Sequence, residues 1–169
     1  MRTDSAARVA RVDTAKPGNG WTAAAVLGYV TAANMGEIDG GMLAAKRATS
    51  AGVKAFANQM VADHKAMQAE GATYASAHSL VADTTTDNVR DLMKGGRDEQ
   101  AELMKKNAGV DWDKNFLDKE IDGHKHVLDK IQDAAKNTTD PGIKAMLEKA
   151  SGKVQEHLTK AQDLRAKMK

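Results

Sequence analysis

The 169-residue chain contains no cysteine, which excludes disulfides, thiolate metal sites and thiol catalysis. Proline is nearly absent, at positions 17 and 141 only, so long helices can run uninterrupted. Aromatic residues make up 4% of the chain, and a core built without them must rest on aliphatic and Ala-rich faces. Neither sign of charge dominates: 25 Lys and Arg stand against 23 Asp and Glu, and no basic stripe is visible, so nucleic acid is not an expected partner. No apolar run approaches the roughly 18 residues of a membrane span, so no transmembrane segment is expected. Gly-rich phosphate loops and nucleophile elbows are also missing.

What remains is helix-bundle composition, rich in Ala, Met, Lys and Asp, in a chain long enough for one domain with a real core. Residues 1–20 form a polar, Ala/Arg-rich arm ending in PGNG, expected to be flexible. The arm lacks the apolar centre of a signal peptide, so either the native chain carries none or this sequence begins after it. Residues 21–169 read as the bundle.

Four long helices are predicted. The first runs from about Thr22, a plausible N-cap, to Ala48, with Val26, Val30, Ala33, Glu37, Gly41 and Ala44 in one sector. After the Thr49–Gly52 turn, the second runs to about His78 on a stripe of Val53, Phe56, Met60, His64, Met67, Gly71 and Tyr74. The third, from Asp111 or Asp113 to Lys136, carries Leu117, Ile121, His124, Leu128 and Ile131. The fourth starts at Pro141 behind an Asp140 cap and carries Ile143, Leu147, Val154, His157 and Leu158. A shorter helix over about 88–106, capped by Asp87, separates the two hairpins as a crossover. The fold class is all-α, an antiparallel four-helix bundle of two helical hairpins with a short crossover helix. Trp21 and Trp112 are expected to seal one end, and the small Gly/Ala faces would support a homodimer.

Each long helix thus places one metal-competent side chain on its buried stripe: Glu37, His64, His124 and His157. Glu37 and His64 are equidistant from the Ser50–Ala51 turn, and His124 and His157 from Asp140–Pro141, so each pair meets across its own hairpin. Three neutral imidazoles and a carboxylate suit a divalent transition metal, zinc first, with copper, iron, nickel or manganese as alternatives. Asp63, Asp118, Glu120 and Glu156 are candidates to orient the imidazoles or to join the site. A short repeat adds Glu120: Glu37-Ile38-Asp39-Gly40 recurs as Glu120-Ile121-Asp122-Gly123, and Val53-Lys54-Ala55 as Ile143-Lys144-Ala145. The alternative is a metal-free bundle whose buried polar groups fix helix register.

Three segments resemble a bacterial ferritin-like family, domain-of-unknown-function family 4142, over roughly residues 22–165. They are Glu37-Ile38 with Gly41 and Leu43-Ala44; Val53-Lys54-x-Phe56-Ala57-x-x-Met60-Val61-x-Asp63-His64; and Gly109-x-x-Trp112-Asp113 with Phe116-Leu117-Asp118 and Gly123-His124. The resemblance implies a ferritin-like four-helix fold and an exported protein of the periplasm or cell envelope, with no established activity. Di-iron ferritin-like proteins carry Glu-x-x-His on two helices. Here Val61 and Val154 stand three residues before His64 and His157, so four bridging carboxylates are not available. The expected function is metal binding in metal handling or stress protection. A redox metalloenzyme acting on peroxide or oxygen, or a non-metal interaction bundle, is the alternative.

Overall fold

The computed structural model describes residues 20–168, and the expectation of a flexible arm falls, apart from Gly20, outside them. Among the described residues there are five helices: α1 (Ala23–Arg47), α2 (Ala51–Ala77), α3 (Asp87–Lys105), α4 (Val110–Asn137) and α5 (Pro141–Ala166). None is long and apolar enough to cross a membrane.

Local chemistry sets most of the helix ends. Thr22 accepts from the Ala25 amide, Ser50 from Val53, and Asp140 from Gly142 and Ile143 ahead of Pro141. α3 begins one residue earlier than expected: Thr86, not Asp87, is its cap, and Asp87 occupies the first turn. α4 begins at Val110 after Gly109, whose φ of 152° lies in the region favouring glycine. Asp113 therefore lies inside α4, where it does not start the helix. Its buried carboxylate accepts the Thr49 and Ser50 amides at 3.0 and 2.7 Å and the Thr49 hydroxyl at 2.8 Å, tying the α1–α2 turn to α4.

α1 pairs with α2 and α4 with α5, while α3 lies against α1 and α4 and the α2–α5 seam is less extensive. Two apolar clusters show how the chain runs. One gathers Trp21, Leu27, Val89, Ile131 and Ile143, from the starts of α1, α3 and α5 and the end of α4. The other gathers Ala48, Val53, Leu103, Trp112, Phe116 and Ala161, from the starts of α2 and α4 and the ends of α1, α3 and α5. α3 thus carries the chain back along the bundle, and α1 and α4 run antiparallel. Consequently Trp21 and Trp112 close opposite ends, not one end. Trp21 Nε1–H donates to Asp133 at 2.7 Å and Trp112 Nε1–H to the Leu103 carbonyl at 2.9 Å.

Two glycines mark close approaches. A Cβ on Gly28 would stand 1.9 Å from the Asp83 carbonyl oxygen, where the connection after α2 crosses α1 and the Asp83 amide bonds the Ala24 carbonyl at 2.8 Å. A Cβ on Gly41 would meet Val61 at 2.7 Å, at the α1–α2 contact.

Candidate metal centre

Between the two apolar clusters the core turns polar. His64, His124 and His157 come from the middles of α2, α4 and α5, and all three are buried, at 3%, 1% and 3% exposure. Their ring centroids lie 5.2 to 6.0 Å apart. One ring nitrogen from each lies within 4.8 Å of one from each of the others.

Each imidazole is held from behind by an oxygen. His64 Nδ1 lies 2.9 Å from Asn34 Oδ1, His124 Nδ1 2.9 Å from the Glu120 carbonyl, and His157 Nε2 2.8 Å from Asp63 Oδ2. These oxygens place the ring proton on the nitrogen they face and leave the lone pair on the other. Those other nitrogens, His64 Nε2, His124 Nε2 and His157 Nδ1, are buried with no hydrogen-bond partner among the described residues. An unsatisfied buried polar atom costs about 1–3 kcal/mol. Three in one cluster call for a common partner that accepts lone pairs, and a cation is such a partner.

Burial disfavours the charged form of two of the rings. Burial pushes the His64 pKa down to about 4, with His124 and His157 adding to the effect against the opposing pull of Glu37. Burial also lowers His157, although its bond to Asp63 works the other way. Neutral imidazole is the form that ligates a metal.

Glu37, the expected carboxylate ligand, stands on the Nδ1 side of His124. Its Oε1 lies 3.8 Å from His124 Nδ1, and Glu120 Oε2 lies 3.4 Å from the same nitrogen. Glu37, Glu120 and His124 form a second group of close donors, sharing His124 with the three-histidine cluster. Burial and the adjacent Glu37 charge raise Glu120 well above the ordinary carboxylate range. Burial opposes ionisation of Glu37 too, but His124, His64 and a hydrogen bond from Glu120 hold it below its ordinary value. The pair therefore shares a proton, with Glu120 donating to Glu37.

Of the residues expected to orient the imidazoles, Asp63 and Glu120 do contact them. Asp118 instead pairs with Arg165 at 2.7 Å and Glu156 with Lys153 at 2.7 Å, both at the exposed face. Asp118 follows buried Leu117 by one position and Glu156 precedes buried His157 by one, and a 100° step turns each outward. Asn34 was missed. It is 6% exposed and stands three residues before Glu37, so a buried amide one turn from a buried carboxylate was the available signal. His126 and His78 are exposed, away from the cluster, and His78 stacks on Tyr74 at 3.9 Å.

The fold and site define an all-helical bundle with a buried histidine cluster at mid-height. By sequence the chain belongs to the family described as Domain of unknown function (DUF4142), whose model matches residues 7–164. No curated protein and no solved structure matches it.

Proposed function

We propose that this protein is a ferritin-like metal-binding bundle in which His64, His124 and His157 hold a divalent transition ion. Zinc is the first choice for three neutral imidazoles, with copper, nickel, iron and manganese behind it. One observation carries the reading: in three clustered rings one buried nitrogen lacks a partner while the other is held by an oxygen. The donor set fits a cation, because every member is buried and has one ring nitrogen held by an oxygen. Glu37 and Glu120 then stand behind His124, where their shared negative charge offsets the charge of the ion. Metal handling or stress protection in the cell envelope, to which the family resemblance points, is the role we assign.

The test is elemental analysis of untagged protein, with thermal melts before and after chelation. About one metal per chain and a melting point that falls on chelation support the reading. No metal in the isolated protein, together with no stabilisation by any of the five ions, would leave a polar-cored interaction bundle. Loss of the metal in both His64→Ala and His124→Ala assigns it to this cluster, and its retention in both places it elsewhere.

A second reading, catalysis at the same ion, is favoured by the count of donors. Three protein ligands leave a tetrahedral ion one position short, the arrangement of catalytic rather than structural zinc.

A further inference from the structure

The histidine cluster adjoins a cavity of about 40 Å³. Its lining residues lie beyond His64 and His124 along α2 and α4 and before His157 along α5, so it extends from the cluster toward the end of the bundle that holds Trp21. Buried His64 and His124 lie at its inner end. Glu70 and Lys149 form its outer rim, paired at 2.7 Å across the α2–α5 seam with side chains 42% and 70% exposed. Between rim and histidines the walls are mostly apolar, with Met67, Ile131, Ala150 and Val154 facing a wall of α1 that carries Ala33, Asn34 and Glu37.

Size and chemistry narrow what fits. A water-sized particle needs about 10–15 Å³ of such space, so the cavity admits a molecule of two or three heavy atoms. Of the two polar wall residues, Asn34 has its oxygen on His64 and Glu37 repels an anion, and the one lysine at the rim is engaged by Glu70. An uncharged molecule enters without that cost. The internal repeat points the same way: aligning Val53 with Ile143 aligns His64 with Val154 and Met67 with His157. Where one half of the bundle presents an imidazole, the other presents an apolar side chain, and both of these apolar residues line the cavity.

We propose that this cavity is a binding site for a small uncharged molecule of the size of dioxygen, held beside the open position of the ion on His64, His124 and His157. The proposal rests on the metal reading above, and the two can fail separately. Crystals of chelator-treated protein under xenon pressure should show xenon between Met67, Ile131 and Ala150. Ferrous-loaded protein exposed to nitric oxide, an uncharged diatomic probe, should give the paramagnetic resonance signal of a ferrous nitrosyl. Ala150→Leu and, separately, Ala33→Leu narrow the cavity. In at least one that melts cooperatively, xenon occupancy and the nitrosyl signal should fall at least fivefold while metal content stays at the wild-type level. Absence of xenon from the wild-type cavity, or ordered water filling it, overturns the site and leaves the metal reading standing. So does a nitrosyl signal equal in wild type and both filled variants. Failure of any ion to bind overturns the metal reading, and this proposal falls with it.

Discussion

His64 shows how much of the site's behaviour follows from one buried ring. In metal-free protein its folded pKa is near 4, against 6.5 for the free side chain. As pH falls below 6.5 the unfolded chain takes up a proton that the folded chain refuses. The contribution of His64 is therefore full above pH 6.5 and is lost as pH falls toward 4, by an amount on the order of 3 kcal/mol. Glu120 works in the opposite sense, since its raised pKa contributes stability below its ordinary value that is lost as pH rises. The comparison that isolates His64 is urea unfolding of wild type and His64→Leu, both chelator-treated, at pH 7 and pH 4.5. The stability gap between them should shift toward the variant by one to a few kcal/mol at the lower pH. Asn34 tests the same ring from behind. Asn34→Leu removes the oxygen that fixes the His64 tautomer, and metal affinity should fall roughly 10–100-fold in competition with a chromophoric chelator.

The helices differ in how far their own sequence accounts for them. α1 and α5 begin where Thr22 and Asp140 cap them, and these starts could be read directly, whereas α2 begins behind Ser50 at Ala51, inside the stretch that reads as a turn. α4 could not be placed this way, because Asp113 resembles a cap but spends its oxygens on the Thr49 and Ser50 amides of another turn. The glycines of α1 make the same point. Gly36 is exposed and an added Cβ meets nothing, whereas Gly28 faces the Asp83 carbonyl at 1.9 Å. Gly36→Ala should stabilise by up to about 1 kcal/mol through helix propensity. Gly28→Ala should destabilise by about 1–3 kcal/mol or more, because backbone must move to admit the methyl. Thermal or urea melts of the pair check both signs, and nothing in the sequence of α1 distinguishes the two positions.

The whole bundle is held by two apolar ends around a polar middle, with Asp113 as a polar tie at the Trp112 end. Asp113→Ala leaves two backbone amides and a hydroxyl of the partly buried α1–α2 turn without their acceptor, and should cost about 1–3 kcal/mol in urea unfolding while leaving metal stoichiometry unchanged. Heptad-like periodicity, the caps and the turn positions already specify an all-helical pair of hairpins, and equal distances from each turn bring Glu37 level with His64 and His124 level with His157. Those features are local or depend on one turn, so they are legible in a linear chain. Three others are not: Asn34 behind His64, the grouping of Glu37 with Glu120 beside His124, and the closing of opposite ends by the two tryptophans. The first depends on the rotation of α1 and α2 about their axes within one hairpin, and the other two on how one hairpin is set against the other through the return of α3 along the bundle. A helix wheel states which residues share a face, but the neighbour that face meets is chosen by side-chain packing across the whole core.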